Sequence, residues 1–263
     1  MGLLDQITHT PTIKPPRIVI HGSPGVGKTT FAADCEGVLF MPIEEGLGTL
    51  DVPHLPHPRT LDDVMTALIE LEESDHDFRA IAIDSVDKLE PLIWEAVCED
   101  KGKANIEEIG YGKGYTMADG LWQEFFRQLD TLRAKRSMTA IVIAHNTKTM
   151  IDDPQIGSYS RYETKLHKRA NGLLVEWADV IGFLNHKRVA LDKGKSEGRQ
   201  VRTSMTTGER ILYLDDDGSF VAKNRYGLPG KIPIPLEHPY QAFRAEMMKA
   251  LGITPPTTKK EAA

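Results

Sequence analysis

Eight residues near the start of the chain, Gly22-Ser23-Pro24-Gly25-Val26-Gly27-Lys28-Thr29, fit the pattern Gly-x-x-x-x-Gly-Lys-Ser/Thr at every defined position. The pattern constrains the fold because it works only between a strand and a helix. The strand carries the loop to a sheet edge, glycines let main-chain N–H groups turn inward, and the helix start adds positive potential. Residues 17–21 read as the incoming strand, and the segment from Thr29 onward as the outgoing helix. Such a loop cradles phosphates. Gly22, Ser23, Pro24, Gly25, Val26, Gly27, Lys28, Thr29 and Thr30 form the binding set, Lys28 reaches the β- and γ-phosphates, and the Thr29 hydroxyl ligates Mg²⁺. The expected chemistry is binding and hydrolysis of a nucleoside triphosphate, ATP with magnesium.

The rest of the chain repeats the strand-then-helix alternation. Continuous apolar runs fall at 18–20, 38–41, 80–83, 139–144 and 180–184, as for parallel strands covered on both faces. Helical stretches are expected at about 29–36, 61–73, 86–100, 116–136 and 163–177. In the fourth of these, Leu121, Phe125, Leu129 and Leu132 recur at helical spacing. The fold class is α/β, a doubly wound, mostly parallel sheet. After about residue 185 the short candidates 189–191, 201–205 and 211–214 predict a C-terminal antiparallel β extension. Residues 233–239 read as irregular and 240–251 as a final helix. The domain reading is an extended segment over 1–16, a core over 17–230, and a last helix with a disordered tail over 231–263. In the first segment Leu3, Leu4 and Ile7 form a short apolar turn, docking on the same subunit or on a neighbour.

Composition excludes some classes. The two cysteines, Cys35 and Cys98, cannot build a disulfide framework for 263 residues. No apolar run approaches the roughly 20 residues of a membrane span, and residues 1–12 lack the basic start and apolar core of a signal peptide. A soluble cytoplasmic protein with no membrane partner is expected. A formal charge of −6 means that any nucleic acid must be met by a local basic patch.

Further residues gather around the loop. Asp84 ends the apolar run 80–83, where a carboxylate would face Mg²⁺; Asp84 or Ser85 as a helix N-cap is the plainer reading. Glu44 and Glu45 directly follow the second run, as groups that orient or deprotonate water or as solvated loop acids. His145 follows the fourth run, as a γ-phosphate sensor or as a hydrogen-bonded structural residue. Two stretches mix cations with aromatics, 101–115 with Lys113 and Tyr115, and 146–169 with Lys148, Arg161, Lys165, Lys168 and Arg169. On mobile loops such residues suit single-stranded DNA, because bases stack while cations follow phosphates; the plainer reading is a solvated loop with locally packed tyrosines. The basic stretch 187–202 either extends that path or is a solvated hairpin. His54 and His57 lack the further ligands that zinc requires.

Taken in order, these residues resemble the RecA-like core ATPases, over roughly 17–230. Within that group the chain looks most like short phage-encoded AAA ATPases related to single-strand annealing proteins and to archaeal RadB. The resemblance rests on the phosphate loop, the segments 39–46, 83–85, 143–145 and 176–180, and the late segment 222–229. It implies a RecA-like P-loop core in which Glu44, in preference to Glu45, acts on the attacking water. His145 would couple the γ-phosphate to a DNA-binding loop, although RecA has Gln there. It also implies that Lys223 and Arg225 reach a neighbouring subunit's γ-phosphate, making the protein a homo-oligomer, ring or filament. The implied activity is ATP-dependent single-stranded-DNA binding in phage recombination and repair, in the host cytoplasm, with a single-strand-binding or replication protein as a further partner. The alternative is an ATP-dependent assembly switch or helicase loader.

Overall fold

The computed structural model describes residues 14–196 and 199–253, the side chains of 188–206 excepted. Leu3, Leu4, Ile7 and the tail 255–263 lie outside the described residues.

Five strands run parallel: β1 (Arg17–Gly22), β2 (Val38–Pro42), β3 (Ala80–Asp84), the first part of β4 (Thr139–Asp153) and the start of β6 (Val180–Ser196). With β7 (Arg199–Tyr213) and β9 (Lys231–Ile234) they form a sheet in the order β2-β3-β4-β1-β6-β7-β9, and β7 and β9 add the antiparallel extension. Two short additions leave this path. Strand β5 (Gly157–Thr164) pairs with the far part of β4, and β8 (Lys223–Asn224) pairs with the start of β6.

Strand alternation explains why the apolar runs are continuous. Val19, Leu39, Met41, Ile81, Ile83, Val142 and Ile181 point to one face, beneath helices α2 (Leu61–Glu73), α3 (Val86–Lys101), α4 (Lys113–Lys135) and α5 (Lys168–Trp177). Ile18, Ile20, Val38, Phe40, Ala82, Ile141, Ile143 and Val180 point to the other, beneath α1 (Lys28–Ala33) and α6 (Pro239–Ala250). Each face is a buried core, so both parities of these strands are mainly apolar.

Helix α2 spans the predicted 61–73, closed at its start by a capping box in which Thr60 and Asp63 exchange hydrogen bonds. The helix expected over 163–177 is shorter in the structure. Helix α5 begins only at Lys168, because 157–164 is strand β5 and pairs from Asn146↔Thr164 to Asp153↔Gly157. The stretch 146–169, expected as a loop, is therefore a hairpin followed by a helix start. The short candidates beyond 185 merge into the two long strands β6 and β7. Part of 233–239 is also ordered. Lys231–Ile234 pairs with β7 as edge strand β9, a position that tolerates Pro233.

Candidate nucleotide site

The parallel strands deliver their C-terminal ends to one edge. Gly22 sits in register with His145, Ile143 with Asp84, and Asp84 with Pro42. Because β4 lies between β1 and β3, the edge presents, in spatial order, the phosphate loop, His145, Asp84 and then Glu44. One cleft is lined by Lys28, Thr29, Thr30, Glu44, Asp84 and His145 together with Pro24, Gly25 and Gly27.

The loop needs its glycines. Gly27 turns through φ +100°, a left-handed value that disfavours a side chain, and a Cβ there would strike the Arg210 guanidinium. A Cβ on Gly22 would run into the Leu184 carbonyl of β6, so close strand packing dictates that residue as well. Helix α1 has six residues and a short dipole, which leaves anion recognition mainly to the loop's N–H groups and Lys28.

Lys28 is buried, and its Nζ donates to the carbonyls of Gly22 (3.0 Å) and Ser23 (3.2 Å). Burial pulls its pKa down against the opposing pull of Asp84, Asp87 and Glu44. The Thr29 hydroxyl donates to Asp84 Oδ2 at 2.7 Å. Burial raises the Asp84 pKa, the Thr29 hydrogen bond lowers it, and Glu44 raises it further. This hydroxyl–carboxylate pair is a hard-oxygen donor set suited to Mg²⁺, which takes one or two protein oxygens and fills its remaining positions with water and phosphate. Among the described residues no three His, Cys, Asp or Glu side chains cluster as a metal cage.

Asp84 is not a helix cap. Ser85 occupies that position at the start of α3, without a side-chain cap bond, and its buried hydroxyl has no partner. Glu44 lines the cleft whereas Glu45 is exposed and lies outside it. His145 is held by Asp87: the main-chain N–H donates to Oδ1 at 2.8 Å, and Nδ1 lies 2.9 Å from Oδ2. The other ring nitrogen, Nε2, is 3.9 Å from Glu44 Oε1.

Lys223 and Arg225 lie elsewhere. Strand β8 pairs with Val180 and Ile181, which lie opposite Ile18 and Val19 of β1, roughly 10–13 Å along that strand from Gly22 at about 3.3 Å per residue. There Lys223 Nζ donates to the carbonyls of Val175 and Glu176, and Arg225 reaches Asp179 at 3.1 Å. Asp179 also binds Arg17 (2.7 Å) and Arg133 (3.1 Å).

The residues considered for DNA fall into two groups. Lys113 and Tyr115 begin α4, Lys168 and Arg169 begin α5, and Lys165 lies three residues before α5. Tyr115 stacks on His167 at 4.3 Å between ring centroids, joining the two helix starts. Arg169 donates to Asp119 through Nε at 2.9 Å. Lys148 and Arg161 belong to the β4–β5 hairpin. Lys148 lies opposite Tyr162, over its ring, whereas Arg161 lies opposite Thr149 and pairs with Asp216. Residues 161 and 162 point to opposite faces, so Lys148 and Arg161 do not share one surface.

Two contributors carry weak sequence signals. Asp87 reads as a first-turn helix acid, and such acids are common. Arg210, in a charged turn-like stretch, is buried behind the loop, with Nη1 3.4 Å from the Val26 carbonyl and Nη2 on the Pro235 carbonyl.

A family model described as an AAA domain matches residues 14–226 of the chain. No curated protein matches it.

Proposed function

The chain belongs to the AAA-domain family, and on that premise we propose that it is a Mg²⁺-dependent ATPase that acts on single-stranded DNA as a homo-oligomer. The observation that carries this reading is the convergence of Lys28, the Thr29–Asp84 pair, Glu44 and His145 on one cleft. When bound, ATP supplies the γ-phosphoryl group and Mg²⁺ offsets its charge. Lys28 would bind phosphate oxygens, Thr29 and Asp84 would hold the metal, and Glu44 would take a proton from the attacking water. His145 stands beside Glu44, where it reads the γ-phosphate end of the cleft. Lys223 and Arg225 lie away from their own loop, and in this reading they serve a second subunit's site.

For DNA, the support is the joined start of α4 and α5, where Tyr115 and His167 stack on one another and Lys113, Lys165 and Lys168 are exposed within two residues of them in sequence. In this reading the protein promotes annealing or strand exchange in phage recombination and repair, in the host cytoplasm and alongside a single-strand-binding or replication protein. No described helix is long and apolar enough to cross a membrane.

A second reading, an assembly switch or loader acting on a protein partner, is favoured by the hairpin tip, which exposes Met150 and Ile156. Steady-state ATP hydrolysis across protein concentration, with and without a single-stranded oligonucleotide, decides between them. A stimulated rate that rises faster than linearly with protein, and whose stimulation weakens with salt, supports the DNA reading. A rate indifferent to DNA overturns it in favour of the protein partner.

A further inference from the structure

His145 has two ring nitrogens, and the structure gives them different neighbours. Nδ1 faces Asp87 Oδ2 at 2.9 Å, and Nε2 faces Glu44 Oε1 and the cleft. Asp87 grips the same residue twice, because its Oδ1 also accepts the His145 main-chain N–H at 2.8 Å. The Asp87 side chain is 3% exposed, against 23% for His145 and 22% for Glu44. The holder is therefore buried while the two held groups reach the cleft. Asp87 sits in the first turn of α3, three residues beyond Asp84, so one short segment carries both the metal-side carboxylate and this grip.

We propose that Asp87 is a positioning residue of the ATPase site: it fixes the ring of His145 so that Nδ1 carries a proton and Nε2 is the nitrogen presented to Glu44 and the γ-phosphate. This rests on the ATPase reading above. The reason is directional. A carboxylate oxygen only accepts, so the ring nitrogen facing it must donate. The remaining nitrogen is then the one exposed to the reacting end, and the Nδ1 contact opposes a ring flip, which would put Cδ2 against Asp87 and Cε1 toward Glu44. Glu44 gains a defined neighbour, and a proton it takes from water has a fixed imidazole beside it.

Asp87→Asn separates positioning from mere packing. An asparagine keeps an oxygen for the main-chain N–H of His145 but turns an amide donor toward Nδ1, which moves the ring proton to Nε2. The experiment reads nitrogen-15 spectra of the His145 ring in the full-length protein, together with kcat and the Kd for ADP. The expected result is a protonated Nδ1 in the wild type and an Nε2–H ring in Asp87→Asn. With it, kcat should fall about tenfold or more, while the Kd for ADP stays within about threefold, since in this reading the His145 ring serves the γ-phosphate, which ADP lacks. An unprotonated Nδ1 in the wild type overturns the proposal without recourse to a variant. So does an inverted ring in Asp87→Asn with undiminished kcat. A wild-type protein that binds ATP but never turns it over instead removes the ATPase reading, and the wild-type spectrum still decides whether Asp87 sets the ring.

Discussion

At Gly27 the backbone adopts φ +100° and passes against Arg210, so two independent constraints meet on one residue. Gly27→Ala must strain the turn and displace the guanidinium. The expected outcome is at least a tenfold loss of ATP affinity, about 1.4 kcal/mol, measured by calorimetric titration, with far-ultraviolet circular dichroism unchanged. Wild-type affinity in that variant would contradict the tight-loop account. Residues of this kind are legible in a sequence because phosphate and magnesium demand particular atoms at fixed spacing. Asp84 and Glu44 stand out as acids that end apolar runs, and both line the cleft. Asp87 and Arg210 are not, because their partners come from distant parts of the chain: His145 lies 58 residues from Asp87, and Val26 lies 184 from Arg210. Only the strand order brings them together.

Helix α4 shows what periodicity does and does not give at the scale of an element. Phe125, Leu129 and Leu132 are buried as their spacing predicts, but the face rotates to include Ala118, Trp122 and Phe126, leaving Leu121 only partly covered. Trp122 stacks against Phe126, and Phe126 against Trp177 of α5, so aromatic contacts set the rotation. Leu129→Ala should therefore cost about 2–5 kcal/mol, and Leu121→Ala about 1 kcal/mol or less, both read by urea unfolding. Equal costs would contradict this placement. The β4–β5 hairpin was the element hidden from the sequence. Its strands are polar and two-sided, with Thr147, Lys148 and Ser158 exposed, so no apolar alternation announces it. Strand β9 is hidden by Pro233 within it and Pro235 just after it, which an edge strand accommodates.

Across the whole molecule two buried titrating groups oppose one another. Burial pushes the Glu90 carboxyl up to about 7, with the His167 amide opposing and Asp87 adding to the rise. Burial pulls His21 down to about 4, against the hydrogen bond to the Val221 carbonyl. From about pH 4.5 to 7 the folded protein keeps a Glu90 proton that the unfolded chain has lost, so this group's contribution to stability falls as pH rises. From about pH 4 to 6.5 the unfolded chain holds a His21 proton that the folded protein lacks, so that contribution grows as pH rises. Each window spans about two and a half pH units, worth roughly 3 kcal/mol, and the two nearly cancel. Glu90→Gln removes one side of the balance. Its melting temperature should climb with pH between 5 and 7 more steeply than the wild type's, and parallel curves would contradict the assignment. The proposed nucleotide chemistry, by contrast, centres on the cleft at the strand ends. The most direct test is steady-state hydrolysis of ATP with Mg²⁺ by the wild type, Lys28→Ala and Glu44→Gln, each checked for nucleotide binding. The account predicts turnover in the wild type, loss of binding and turnover in Lys28→Ala, and retained binding with turnover reduced about a hundredfold or more in Glu44→Gln. Near-normal hydrolysis by either variant would contradict it.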